Sequence, residues 1–308
     1  MTSSVGQPLA TLHIPILVEA VLSHLAVGPG GHYVDATVNG GGHTRAILRA
    51  SAPAGRVLAI DRDQDLIERL NRAEPALVRS GRLVPVASSF RCIADLVDEH
   101  SFGPVRGILF DLGLSSYHLD SSGRGFSFSK SEPLDMRFGA GEIQTQRARE
   151  ILARAPTPEL IRIFRELGEE RFASRIARTI VARRQHQPVE TTSDLLDAIG
   201  SSLPAKTRWR VARHAARVFQ GLRIAVNDEL ETVRAALPNA WSALDHGGRM
   251  VVLAFHSLED RIVKRYFRDL AQRGDGELLT RKPITASEAE VAENPRAASA
   301  KLRAIAKR

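Results

Sequence analysis

The chain has 308 residues, 43% hydrophobic and 25% charged, with a net charge of +8. Its composition excludes a disordered, collagenous or disulfide-stapled protein, and its length allows a large core and two domains. One cysteine, Cys92, forms no internal disulfide, no apolar run approaches the ~20 residues of a membrane span, and the ten histidines lack metal-ligand spacing.

Met1 to Ala10 lack a basic region followed by an apolar one, so a cytoplasmic location is expected. Next, Ile14-Pro15-Ile16-Leu17 leads into an apolar-periodic helix over Val18 to Leu25, ended by Gly28-Pro29-Gly30-Gly31. His13 precedes it, either as a group that folds back over a ligand or as a polar residue at a helix entrance.

Tyr33-Val34-Asp35 reads as a strand that runs into Gly40-Gly41-Gly42, a helix follows over Thr44 to Ala50, and Val57 to Asp61 is a second strand. Without Cβ atoms a glycine backbone turns sharply and lets a ligand approach its N–H groups. Asp61 follows Gly40 by 21 residues, at a strand end where a carboxylate can accept ribose hydroxyl protons. A nucleoside is therefore the expected ligand. A dinucleotide fingerprint G-x-G-x-x-G would need glycine at Arg45. S-adenosylmethionine, a sulfonium cation without phosphate, suits a glycine turn flanked by Asp35 and Asp61 better.

Asp63 is a candidate cap for a helix to Asn71, and Leu83-Val84-Pro85-Val86 is a third strand at an edge. Phe90 follows, placed either to stack on an adenine ring or to staple the next helix. Cys92, in an amphipathic stretch, reads as a core thiol. Val105 to Asp111 is a fourth strand whose carboxyl end joins the same rim, and three acids there call for a partner that offsets their desolvation.

After Ser116 the strand and helix alternation stops. Helical patterns run over Thr145 to Ala153, Pro158 to Leu167, Glu170 to Arg184 and Ser193 to Ile199, which predicts an inserted all-helical domain over 115–211. The remaining residues, 1–114 and 212–308, form the ligand-binding α/β domain. Leu160 to Arg223 carries thirteen Lys or Arg against six Asp or Glu, a basic surface suited to a polyanion. Arg171, Arg175 and Arg178 share one predicted helix face, with Lys206, Arg208, Arg210, Arg213 and Arg217 nearby. Aromatic residues are few there, which favours phosphate contact over base stacking.

A helix from Leu222 towards Leu244 is predicted to stop at Gly247-Gly248, followed by a fifth strand over Met250 to Phe255 and a helix over Leu258 to Leu270. Glu277 to Lys282 and Lys301 to Ala306 would add two antiparallel strands and complete a seven-stranded sheet.

His13-x-Pro15-x-Leu17, Gly41-Gly42-His43, Ile60-Asp61-Arg62-Asp63, Asp111-Leu112-Gly113 with Ser115-Ser116, Arg124-Gly125-Phe126-Ser127-Phe128, Pro133-Leu134-Asp135-Met136-Arg137, Gly168-Glu169-Glu170-Arg171-Phe172, Val226-Asn227-Asp228-Glu229-Leu230 and Phe255-His256-Ser257-Leu258-Glu259-Asp260-Arg261 occur in this order. Together they resemble the bacterial ribosomal RNA small subunit methyltransferase H family, over nearly the whole chain. The resemblance implies a Rossmann-like class I methyltransferase sheet, S-adenosyl-L-methionine as cofactor, and methylation of the N4 amino group of a decoding-centre cytidine in 16S rRNA, with the small ribosomal subunit as partner. It implies cofactor contacts from Gly41, Gly42, His43, Asp61, Phe90 and Asp111, and from His118, which stands where the family usually has glutamine. Arg213-His214-Ala215-Ala216 replaces a usual His-Pro-Ala-Thr, and Ala298 stands where arginine is common.

Methylating an exocyclic amine needs an aimed nitrogen and a proton acceptor rather than a covalent nucleophile. Asp111 or a carbonyl of Leu112 to Ser115 is the expected acceptor, with His256 and Ser257 on the opposite lip. An amino-methyltransferase of DNA and a non-catalytic rRNA-binding assembly factor are the alternatives, and a homodimer is left open.

Overall fold

The structure is a computed structural model that describes residues 15–139 and 146–308. It divides into two compact units, one running to Tyr117 and resuming at Arg234, the other spanning His118–Val233.

The first unit is built on a seven-stranded sheet. Its strands are β1 (His32–Asp35), β2 (Arg56–Asp61), β3 (Leu83–Ala87), β4 (Val105–Asp111), β5 (Leu244–Ala254), β6 (Gly276–Leu278) and β7 (Lys301–Lys307). Their order is β3-β2-β1-β4-β5-β7-β6. β1 to β5 are parallel, and β7 pairs antiparallel with both β5 and β6. This is the α/β sheet that the alternating strand and helix patterns predict.

The central strands read as unbroken apolar runs because helices cover both faces. Val57, Leu58, Ala59 and Ile60 of β2 are all buried, as are Ile108, Leu109 and Phe110 of β4. Each such aliphatic side chain contributes roughly 1.5–3 kcal/mol when removed from water. The helix Val18–Leu25 has the predicted bounds, and Asp63 caps Gln64–Ala73 by accepting from the Asp65 N–H.

Several elements differ from expectation, among them the strand predicted over Glu277 to Lys282, which is Gly276–Leu278. The ladder between β4 and β5 begins earlier, at Val105 and Leu244, and jumps to Gly107 and Arg249. Residues 245–248, with Gly247 at φ +76°, form a bulge within the strand instead of preceding it. Further back, the helix predicted from Leu222 to Leu244 is broken at Asp228, which takes φ +50° between Val211–Asn227 and Glu229–Ala243. Cys92 is half-buried at the end of a short turn, so it is not a fully buried core thiol.

The described residues of the second unit form helices and one isolated bridge, between Pro133 and Thr191. The helices include Ala148–Arg154, Thr157–Arg162 with a π turn at Ile163–Leu167, Ala173–Arg183, Thr192–Ser202 and Val211–Asn227. Thr145 lies outside the described residues, as does His13. Within this unit Val211–Asn227 packs on the π turn. A Cβ on Gly221 would sit 2.8 Å from the Ile163 carbonyl, and one on Gly168 would collide with that of Arg217. Only glycines allow so close an approach of the two backbones. Phe164, Ile176, Ile180, Leu195, Val218 and Leu222 form its dry centre.

Candidate functional site

The register of the sheet builds a notch at its carboxyl rim. Asp35 ends β1 opposite Ala59 of β2 and Leu109 of β4. Asp61 and Asp111 therefore reach two residues further on either side, about 6–7 Å at the rise of a strand. Ligands of parallel sheets collect at such a rim.

The turn after β1 fills the floor of the notch. Ala36 donates to the Leu109 carbonyl at 2.9 Å and Val38 to the Ile60 carbonyl at 3.1 Å, so the chain stays tied to both neighbours. Asn39 then takes φ +51° and Gly41 φ +74°, and the helix Gly42–Ala50 starts at once. A Cβ on Gly41 would stand 3.0 Å from the Leu70 side chain and 3.2 Å from that of Arg45. At a positive φ this position suits glycine on both counts. Arg45, the residue that breaks the dinucleotide fingerprint, instead pairs with Glu74 at 2.6 Å and donates to the Gly40 carbonyl at 2.9 Å.

The three acids do different work. Asp35 is fully buried and accepts from the Thr37 N–H at 3.2 Å and the Thr44 hydroxyl at 2.6 Å, which ties the turn to the first turn of the helix. Asp61 is half-buried and accepts the Asn39 N–H at 3.0 Å on one oxygen and the Asp63 N–H at 2.9 Å on the other. These two bonds orient the carboxylate. Asp111 is buried, and its own N–H donates to the Thr37 hydroxyl at 2.6 Å. Its Oδ2 accepts from the Asn39 amide at 3.2 Å and stands 3.7 Å from His43 Nε2. Its Oδ1 is buried and accepts no hydrogen bond among the described residues.

Burial, first of all, pushes both Asp35 and Asp111 up to about 7 from the usual carboxylate value of 3.8. The charge of Asp61 adds to the rise at Asp35, and the charges of Asp35 and Glu259 add to it at Asp111. Such a pair is poised for a cation, which would restore ionisation, or for a proton in transit.

His43 is buried in the second position of the helix. Phe90 opens the short turn after β3, half-buried and edge-on to Phe110 of β4 at 5.6 Å. His256 caps Ser257–Arg273 by accepting the Glu259 N–H, and its Nε2 lies 3.2 Å from the buried Glu259 carboxylate. The Glu259 carboxylate also accepts the Phe255 N–H at 3.0 Å. His118 belongs to the other unit, buried against Phe126 and Phe138 at ring distances of 5.2 Å.

Sequence patterns miss Thr37, Asn39, Thr44 and Glu259. The signal that was available is Asn39, since asparagine beside glycine favours the left-handed conformation found here. The hydroxyl bonds of Thr37 and Thr44 leave no periodic trace.

In the second unit Arg171, Arg175 and Arg178 are all exposed. The helix begins only at Ala173, so Arg171 precedes it and lies over the Phe172 ring at 4.6 Å. Behind them Glu170 is buried and bonded to His214 at 2.9 Å and to the Phe172 N–H at 2.8 Å. No helix among the described residues is long and apolar enough to cross a membrane.

The chain matches the model of the MraW methylase family over residues 10–308. Among known proteins it is similar to ribosomal RNA small subunit methyltransferase H of Thermomicrobium roseum, with 46% identity over 96% of this chain and 94% of that protein. The protein of that name from Heliobacterium modesticaldum is 43% identical over 96% of this chain and 98% of its own. That of Symbiobacterium thermophilum is 42% identical over 97% and 98%.

Proposed function

This chain belongs to the MraW methylase family, and from that premise we propose that it transfers a methyl group from S-adenosylmethionine to small-subunit rRNA, at the N4 amino group of a decoding-centre cytidine in 16S rRNA. The observation that carries the reading is the notch, where Asp61 and Asp111 stand on either side of a glycine turn. The relatives' shared name supplies the class of acceptor.

The residues fit the cofactor. Bound there, S-adenosylmethionine supplies an electrophilic methyl on a sulfonium. Asp61, with its carboxylate fixed by two backbone N–H groups, accepts the ribose hydroxyls. Phe90 offers its ring to the adenine. The unmatched Oδ1 of Asp111 faces a cationic group, and the backbone at Gly41, Gly42 and His43 lets the ligand lie close.

Methylation of the N4 amino group requires that one amino proton leave. Asp111 takes it. A carboxyl pushed up to about 7 accepts a proton near neutrality far better than an ordinary aspartate does. A base in a stack cannot reach such a rim and has to be turned out. The His118–Val233 unit, with Arg171, Arg175 and Arg178 exposed, holds the surrounding RNA backbone. The test is methyl transfer from labelled S-adenosylmethionine to naked 16S rRNA, assembled small subunits and duplex DNA. Label in N4-methylcytidine of either RNA substrate supports the reading; label in DNA alone, or none, refutes it.

A further inference from the structure

Tryptophan is normally drawn inside, yet Trp209 is 73% exposed, the one large apolar side chain so exposed among the described residues. It sits in the short turn Ala205–Arg210 of the second unit, immediately before the helix Val211–Asn227. Its orientation is set locally, because the indole N–H donates to the Lys206 carbonyl at 3.1 Å. The Arg210 guanidinium lies over the ring at 4.2 Å, and the exposure places the remainder of the ring in solvent.

Along the chain its charged neighbours are of one sign. Between Asp197 and Asp228 the sequence holds six Lys or Arg and no Asp or Glu, although Arg217 and Arg223 pair with Glu170 and Glu229. Lys206, Arg208, Arg210 and Arg213 are exposed. A fixed aromatic plane among exposed cations is the arrangement that grips a single strand, with the ring taking a base and the cations the phosphates. A duplex keeps its base faces stacked and offers the ring nothing, and an apolar protein partner would gain nothing from the cations.

We propose that Trp209 is a stacking platform for an unpaired RNA base, with Lys206, Arg208, Arg210 and Arg213 contacting the flanking phosphates. This rests on the reading of the chain as an rRNA methyltransferase and adds to it a second point of RNA contact. It also revises the expectation that the basic segment works through phosphates alone.

The exposure of Trp209 means that its replacement leaves the fold in place. Intrinsic fluorescence of the wild type, Trp209→Ala and Trp209→Phe is titrated with a mixed-sequence single-stranded RNA oligomer and with that oligomer annealed to its complement. The only other tryptophan is Trp241. The single strand quenches the wild type and leaves both variants unquenched. Affinity for it falls about tenfold in Trp209→Ala and less in Trp209→Phe, with an unchanged salt slope because no charge is lost. Arg208→Gln with Arg213→Gln lowers the salt slope instead. Unquenched emission at saturating single strand, or equal affinity in Trp209→Ala, overturns the platform, and does so alone if the wild type still methylates rRNA. Quenching by a protein that transfers no methyl to rRNA would uphold the platform and remove the functional reading.

Discussion

The side-chain amide of Asn39 donates to Asp111 twice, to its carbonyl at 2.9 Å and to its carboxylate at 3.2 Å. Its backbone N–H meanwhile holds Asp61. One residue of the glycine turn thus sets the spacing of the two acids that flank the notch. Asn39→Ala breaks the side-chain half of this tie. Calorimetry should show S-adenosylmethionine affinity reduced about tenfold or more, the usual cost of a lost hydrogen bond to a charged group. RNA affinity should be untouched, and an unchanged cofactor affinity would show that the tie has no part in binding.

The buried acids give stability and cofactor binding opposite pH dependences. Asp35 holds its proton up to about 7 in the folded chain, whereas the unfolded chain releases it near 3.8. This group's contribution is therefore full at low pH and is lost as pH rises through about 7. Thermal unfolding of the cofactor-free protein should show the loss, and Asp35→Asn should flatten it. Cofactor affinity should rise over the same interval, since a sulfonium favours the ionised acids. A falling affinity would contradict that placement.

Asp111→Asn separates binding from chemistry. The amide keeps the shape of the carboxyl but cannot take the amino proton, so kcat should fall about 100-fold or more, in line with loss of a general base. Cofactor affinity should fall less. Equal losses in the two would remove Asp111 from proton transfer and leave it as a ligand contact.

Gly41→Ala tests the turn. A Cβ there carries the left-handed penalty of roughly 1–2 kcal/mol, and at φ +74° it also presses on the Leu70 and Arg45 side chains. The melting temperature should drop by several degrees with reduced cofactor affinity. A neutral result would show that the bend relaxes freely.

Reversing charge at Arg171, Arg175 and Arg178 should weaken RNA binding, lower its salt slope and spare cofactor binding. All three side chains are exposed, so folding should survive. RNA affinity equal to that of the wild type would refute the assignment of this face.

The sheet was legible because apolar runs ending in aspartate repeat along the chain, and Asp35, Asp61 and Asp111 end β1, β2 and β4. What escaped depends on backbone detail. Nothing in periodicity marks Asp228 as the break in a long helical pattern, because its φ of +50° replaces no apolar position. Gly247-Gly248 reads as a helix stop, whereas the ladder of β5 resumes across it. The cradle around the acids was illegible for a related reason: Thr37 and Thr44 act through single hydroxyl bonds across the turn. Exposure is equally hidden: Trp209 is one of the few aromatic residues in the basic segment, and nothing in the sequence marks it as the one that stands in solvent.

Methylation of a small-subunit rRNA cytidine at the notch between Asp61 and Asp111 is tested by mass spectrometry of 16S rRNA nucleosides from cells with this protein, cells without it and cells carrying Asp111→Asn. N4-methylcytidine should be present at one decoding-centre position in the first and lost in the other two. An identical nucleoside profile in all three would contradict it.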